Sequence, residues 1–396
     1  MLKNTIVVLY QLISLWFKKK QPKKILLVAE YGKGGGTRTY FISLLHFLKK
    51  QQYEVTVLMN NKDVDQEIDN LVSELEFKTL SSNFDFWCID LDNLHPGLTK
   101  KQLISYQLRE MLFWCNILNE NHFSGLIFSV GYPEQYLYTF LLPVKLRYIL
   151  HTQPLKNADK FKRWILKSQL GQQKQITTVS ESSKTAIETC WLQSKSSPYI
   201  KLVHNFYEPK FKNVSIQNSD GIKRILTIGS VESYKNPFFF IECAKEIIAR
   251  TKDNKVVFTW AGDGSLLAEC RNRIKDYPQI KFEGNKENVE ELYEASYIYF
   301  QPSLQESHGI AVLGAMYHQL PCLVSNRGGL KESVIDGVTG FVVETEDTKK
   351  AVEKINYLLQ DKKAARLMGG NGYKNYIDKF TEVAWTQSMK NLFKNV

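Results

Sequence analysis

One lysine, one glutamate and several glycine-bearing turns are the residues of this chain whose types and spacing best suit chemistry. That chemistry would be the handling of an anionic, phosphorylated ligand. The stretch "PSLQESHGIAVLGAMYHQLPCLVSNRGG", residues 302–329, joins two apolar runs through Glu306, His308, Gly309 and a short helical pattern. Free N–H groups and the positive dipole end at such a helix start favour negative charge, and His308 could donate to a ligand oxygen there. Glu306 reads equally well as a carboxylate that satisfies the helix end, and Glu332 as a cap on the next helix. In "TIGSVESYKNPFFF" Gly229 closes a strand and Lys235 follows just before a helix, while "AGDGSLL" adds Gly262 and Gly264 after another strand. A lone lysine in a loop is ordinarily solvated. Near the start, Gly34, Gly35 and Gly36 lie between a strand and a helix, where glycines let a backbone approach an anion and present amides to it. A tight structural turn fits them equally, and Arg38 beside them faces either phosphate or solvent.

These residues need a scaffold, and the hydrophobic pattern supplies one. "KKILLVAEYGKGGGTRTYFISLLHFLKKQQYEVTVLMNN" reads as strand, glycine-rich loop, helix and strand. Strand patterns recur at 124–130, 146–152 and 175–180, with a helical stretch at 99–120. After a polar, aperiodic segment they restart at 224–230, 255–262, 280–284, 296–303, 321–326 and 340–344. Strands alternating with helices predict parallel sheets covered on both faces. The expected fold class is α/β, two doubly wound Rossmann-like domains facing a cleft. The expected divisions are a basic apolar segment 1–22, an N-terminal domain 23–206, a linker 207–222, a C-terminal domain 223–375, and a terminal helix 376–396 returning to the N-terminal domain. Ligands in such sheets bind beyond the carboxyl ends of strands, which directs attention to the loops after Ala29, Ile228, Trp260 and Phe300.

Composition narrows the function classes. The 396 residues are 43% hydrophobic and 23% charged, which suits two globular cores rather than disorder. Cys88, Cys115, Cys190, Cys243, Cys270 and Cys322 show no paired spacing, against zinc and against a disulfide framework, and consistent with a reducing cytoplasm. The net charge of +11 is local: residues 1–50 hold ten Lys or Arg against one Glu, a net of +9. No basic stripe interleaved with aromatics accompanies it, so nucleic acid is not an expected partner. "MLKNTIVVLYQLISLWFKKKQPKK" carries 14 uncharged residues between Lys3 and Lys18, about 21 Å of helix against a hydrocarbon core of about 30 Å. Leu2, Ile6, Leu9, Ile13 and Trp16 recur at helical spacing opposite Asn4, Gln11, Ser14 and Lys18, and five lysines follow within seven residues. The segment predicts an interfacial helix on an anionic membrane surface; packing against the protein's own body and a true span are the alternatives.

The order of "TVSESSK", "LVHN", "IGSVESYKN", "AGDGSLL", "YEASYIYFQPSLQESHGIAVLGAM", "LPCLVSNRGGLKESV" and "DGVTGFVV" resembles the retaining GT-B glycosyltransferases of family 4, glycosyl transferases group 1. The resemblance implies a hexosyltransferase of the EC 2.4 type that moves a sugar from a UDP- or GDP-sugar to a glycan or lipid-linked acceptor with retention of configuration. It implies neither metal nor cofactor, and placement in the cytoplasm, peripheral at the inner face of the cell membrane. By the same resemblance Lys235 contacts the donor diphosphate, Glu306 addresses the sugar hydroxyls, and the amides of Gly309, Ile310 and Ala311 hold phosphate. Gly34 to Gly36 lie near the diphosphate or acceptor, Gly229, Ser230, Gly262, Gly264 and His308 complete the donor side, and His151 in "ILHTQ" stands beside the transferred sugar.

Two positions depart from the family pattern. Gly314 stands where a second glutamate holds the ribose, and Ser230 where an arginine precedes the lysine. Losing a hydrogen bond to a charged group costs about 1.5–3 kcal/mol, so each change is expected to weaken donor binding and need not abolish it; Arg327 or Arg38 are candidate substitutes for the missing cation. The competing readings are a degenerate GT-B-like binding or scaffold protein and a sugar-nucleotide epimerase of related architecture. Restoration of nucleotide binding by Gly314→Glu is the result expected of degeneration.

Overall fold

The computed structural model describes residues 2–29, 35–60, 65–82, 100–130, 137, 139–154, 157–194, 196–209, 221–251 and 255–394. Gly34, Cys88 and most of the expected linker lie outside them. The chain divides into two compact units: Met1–Thr178 with Lys184–Leu202 and Lys390–Val396, and Val179–Ser183 with Val203–Met389.

The first unit runs α1 (Leu2–Phe17), β1 (Lys24–Ala29), α2 (Gly36–Lys50), β2 (Glu54–Asn60), α3 (Gln66–Glu74), β3 (Lys78–Ser82), α4 (Lys100–Asn121), β4 (Gly125–Val130), β5 (Lys145–Leu150), α5 (Lys160–Gln169) and β6 (Lys174–Thr178), then α6 (Glu181–Ile187) and β7 (Ile200–Leu202). Its sheet has the order β3-β2-β1-β4-β5-β6-β7 with every pair parallel. Because strand side chains alternate between faces, Leu26, Val28, Leu126, Phe128, Leu146, Tyr148 and Ile176 meet one cluster with Trp114 and Leu118 of α4 and Ile165 and Leu166 of α5. Near-continuous apolar runs such as "GLIFSV", buried throughout, are what a strand covered on both faces requires.

The amino-terminal helix divides its faces. Val8 and Leu15 of α1 join that same core cluster, and Gln11 accepts from the Asn119 side chain on α4. The expected apolar stripe faces outward: Ile6, Leu9, Tyr10, Ile13, Trp16 and Phe17 are all exposed, Phe17 to 86%. No helix among the described residues is long and apolar enough to cross a membrane.

The second unit runs β8 (Lys223–Ile228), a 3-10 turn Ser233–Lys235, α7 (Pro237–Thr251), β9 (Val256–Ala261), α8 (Leu267–Arg273), β10 (Ile280–Gly284), α9 (Glu290–Glu294), β11 (Ile298–Gln301), α10 (Ile310–Tyr317), β12 (Cys322–Ser325), α11 (Leu330–Ser333), β13 (Gly340–Val343), α12 (Thr348–Gln360), α13 (Lys362–Lys379) and α14 (Glu382–Phe393), of which the residues from Lys390 count with the first unit. The parallel sheet has the order β10-β9-β8-β11-β12-β13. Phe240 packs edge-on against Phe258, Trp260 and Phe282 at the centre of its core. In each unit the chain builds outward from its first strand and then returns to that strand's other side, which makes β1/β4 and β8/β11 the switch points where a crevice opens beyond the strand ends.

Candidate functional site

The β8/β11 switch point is where the second unit gathers its chemistry. Beyond β8 the chain turns through Gly229 and Ser230 to Lys235, and beyond β11 it runs through Ser303 to Glu306. The Lys235 ammonium pairs with Glu306 Oε2, both side chains about 15% exposed. A polar chain leads to that pair from inside the sheet: Tyr299 Oη donates to Gln301 Oε1 at 2.6 Å, Gln301 Nε2 donates to Ser303 Oγ at 2.8 Å, and Ser303 Oγ donates to Glu306 Oε2 at 3.5 Å. Tyr299, Gln301 and Ser303 are buried, so the carboxylate is held by groups water cannot compete for. Sequence reading missed all three, because "YFQPS" looks like the end of any strand.

The turns on either side are fixed by backbone contact. A Cβ on Gly262 would lie 2.0 Å from the Gly229 carbonyl oxygen, and one on Gly264 would lie 2.5 Å from that of Val231. Trp260 Nε1–H donates to the same Gly229 oxygen at 2.8 Å, tying the loop to the aromatic core. Gly262 and Gly264 therefore have a packing reason to be glycine whatever binds nearby. Ser230 Oγ and Tyr234 Oη are 2.9 Å apart. Gly309 takes φ +81 at the start of α10, and no side chain caps that helix. Its Cβ position would be 3.5 Å from Glu306 Cγ, so the first-turn amides of Ile310 and Ala311 belong to the neighbourhood of the Lys235–Glu306 pair. Glu306 thus serves the lysine and not the helix end.

Gly314 is occupied space, not a vacancy. A Cβ there would meet Tyr293 Oη at 2.7 Å and Tyr207 Cε2 at 3.0 Å. Tyr293 is fully buried and donates to the Ala311 carbonyl at 2.8 Å. Glu290, also buried, accepts from Tyr207 Oη at 2.5 Å and lies 2.5 Å from His318 Nε2. Burial first, then Tyr293 and Glu290, raise the Tyr207 hydroxyl far above its ordinary range. A glutamate at 314, the change whose restoring effect would signal degeneration, would meet two aromatic rings beside a buried carboxylate.

His308 is also corrected. Its ring is 1% exposed, stacked on His204 at 5.0 Å and edge-on to Phe380 at 5.4 Å. Burial, then His204, hold it down to about 3, so it is neutral, and neither ring nitrogen has a partner among the described residues. Glu332 accepts from the N–H groups of Glu181 and Ser182, each at 2.8 Å and both in its own unit, so it caps the start of α6 rather than its own helix. Arg327 donates to Thr345 Oγ1 at 3.3 Å.

In the first unit, Gly35 (φ +89) is the N-cap of α2 and Gly36 its first residue. Arg38 is bound by Asp65 at 3.0 Å and by Glu67, so it is not a spare cation. His151 follows β5, 2.9 Å from Ser129 Oγ and edge-on to Tyr40 at 4.6 Å. Burial holds it down to about 4, and it is neutral near pH 7. The described cysteines are all free, and no group of His, Cys, Asp or Glu among the described residues could hold a metal ion.

Two doubly wound parallel units constitute the GT-B class of fold, and solved members share it. HepE of Anabaena, solved with UDP and glucose, matches at a TM-score of 0.70 and 16% identity, over 94% of this chain and 100% of that one. A glycosyltransferase of Rickettsia africae matches at 0.73 and 14%, over 96% and 100%. Residues 210–375, which hold the Lys235–Glu306 site, match the family described as glycosyl transferases group 1. Among curated proteins, the Escherichia coli UDP-Gal:alpha-D-GlcNAc-diphosphoundecaprenol alpha-1,3-galactosyltransferase is 28% identical over 44% of this chain and 46% of its own length. The Staphylococcus aureus capsular polysaccharide biosynthesis glycosyltransferase CapM is 23% identical over 65% and 66%. The chain thus aligns with only about half to two thirds of these relatives.

Proposed function

We propose that the protein transfers a sugar from a nucleoside-diphosphate sugar, a UDP-sugar before a GDP-sugar, to a glycan or lipid-linked acceptor. The observation that carries this reading is the Lys235–Glu306 pair beside the uncapped amino end of α10 at the β8/β11 switch point, within the group 1 match. Cleaving a sugar–phosphate bond leaves negative charge on the diphosphate, and preorganised cations and amides aimed at that charge lower the barrier. Lys235 and the amides of Ile310 and Ala311 fill that role. In the free protein Glu306 holds the ammonium in place; when a diphosphate takes Lys235, the carboxylate is released to accept from sugar hydroxyls.

The positive charge in this scheme comes from side chain and backbone, without a metal. Retention follows if the acceptor attacks the face the diphosphate leaves, with a phosphate oxygen taking the acceptor's proton. UDP in the HepE structure and UDP-Gal in the name of the Escherichia coli relative support the choice of base. The names diphosphoundecaprenol and capsular polysaccharide support a lipid-linked or polysaccharide acceptor, and the exposed apolar face of α1 beside its lysines supports peripheral placement at the cytoplasmic face of a membrane.

A thermal-shift screen with UDP- and GDP-sugars, followed by nucleotide release in the presence of membrane extract, tests the reading. Ligand at 100 times its dissociation constant stabilises by about 2.7 kcal/mol, a clear shift. No shift with any donor overturns the proposal, and binding without turnover favours a scaffold.

A further inference from the structure

Two separate elements of the first unit expose aromatic side chains beside lysines, on the same side of its sheet. On α1, Trp16 and Phe17 are 74% and 86% exposed and close the outward stripe. On α5, Phe161 and Trp164 are 58% and 57% exposed and stack on each other at 5.9 Å, while Ile165 and Leu166 face the core. The inner faces of α1, α4 and α5 contribute to one core cluster with the same face of the sheet. Their carboxyl ends converge on lysines. Lys20, just past α1, donates to the Pro143 carbonyl at 2.6 Å; Lys174 donates to Phe140 and to Gln169, the last residue of α5, at 2.6 and 2.9 Å. The two ammonium groups are close enough that Lys174 is pushed down to about 8 by burial first and Lys20 second.

We propose that this layer is a two-point docking surface for an anionic lipid bilayer, with Trp16 and Phe17 of α1 and Phe161 and Trp164 of α5 entering the interface and the exposed Lys19, Lys160 and Lys167 meeting headgroups. The reading extends the peripheral placement proposed above by adding α5. Charge decides the occupant. Residues 1–29 contain six lysines and no acidic residue, and α5 carries Lys160, Lys162, Arg163 and Lys167 with Asp159 committed to its N-cap. A second copy of the chain would oppose lysines to lysines, whereas anionic headgroups attract them and aromatic rings settle at the headgroup boundary.

Sedimentation of the full-length protein with vesicles tests this, comparing phosphatidylglycerol-containing with pure phosphatidylcholine membranes, for wild type, Trp16→Ser/Phe17→Ser and Phe161→Ser/Trp164→Ser. Exposed positions leave the fold intact, verified by circular dichroism. Binding is expected only to the anionic vesicles, weakened by salt, and reduced about ten-fold or more by each pair of changes. Loss with the α1 pair but not the α5 pair overturns the two-point surface while leaving attachment through α1. Loss with neither pair overturns both. Self-association that both pairs abolish, without vesicle binding, overturns the bilayer in favour of a second copy.

Discussion

Gly314→Ala tests whether the missing glutamate reflects decay or a different construction. The added methyl must enter a space where Tyr293 Oη would be 2.7 Å away, Tyr293 Cζ 2.8 Å and Tyr207 Cε2 3.0 Å. Neither ring is free to withdraw: Tyr293 is fully buried and bonded to Ala311, and Tyr207 is tied to Glu290. Overpacking of this kind costs about 1–3 kcal/mol, and loss of the Tyr293–Ala311 bond adds about 1 kcal/mol. The expected destabilisation is therefore about 2–4 kcal/mol, and each kcal/mol lowers the melting temperature of a unit this size by roughly 2–4 °C. Gly314→Glu should be worse, since it brings a second carboxylate toward buried Glu290 and needs a partner the site lacks. Tyr293→Phe removes the atom nearest the new methyl, so the Tyr293→Phe/Gly314→Ala pair should lose less than the sum of the single changes, a coupling that a double-mutant cycle isolates. Urea denaturation and UDP titration of wild type and the four variants provide the readouts. An alanine tolerated without loss of stability, or a glutamate that tightens UDP binding, would refute the reasoning and return Gly314 to the status of a lost contact.

Three further outcomes are expected. Glu306→Gln frees Lys235 from its partner, so UDP affinity should hold or rise while sugar transfer falls; equal loss of both would place Glu306 in a merely structural role. His308, held down to about 3 by burial and His204, stays unprotonated while its unfolded counterpart gains a proton below about 6.5. Stability of the second unit should thus fall by about 1.4 kcal/mol per pH unit on acidification below that point, and His308→Phe should flatten the slope seen by hydrogen exchange in β11 without changing UDP affinity. Glu110 on α4 is fully buried and pushed up to about 8 by burial. Its unfolded form sheds the proton near the ordinary 4.5 while the folded form keeps it, so the first unit should lose stability as pH rises from about 4.5 toward 8; Glu110→Gln should remove that loss in denaturant titrations at pH 5 and pH 8.

The sequence disclosed the fold through its central strands, whose apolar runs are continuous because both faces are covered. It was silent on β3, "KTLSS", and β7, "IKL", which lie at the two edges of the first sheet, where one side faces no neighbouring strand and the apolar run is not required. At the site, residue type alone left Lys235 as a solvated loop lysine and Glu306 as a helix-end carboxylate, and only the family resemblance joined them; the β8/β11 switch point that brings them together is set by strand order. The buried chain Tyr299–Gln301–Ser303 did not, since polar residues alternating through a strand end announce no direction. Nor did the Tyr207–Glu290–His318 group, whose members are joined only by the fold. His308 misled because its place beside a helix start says nothing about whether the ring turns out or in; His204 and Phe380 settle that.

The most direct measurement is UDP affinity of Lys235→Met against wild type by calorimetry, with folding checked independently. Removing the ammonium deletes a charge-assisted bond to the diphosphate worth about 1.5–3 kcal/mol and leaves the Glu306 carboxylate unpaired, so affinity should fall at least ten-fold, and by roughly a hundred-fold at the upper end. An unchanged affinity in the folded variant would mean that the diphosphate is held elsewhere.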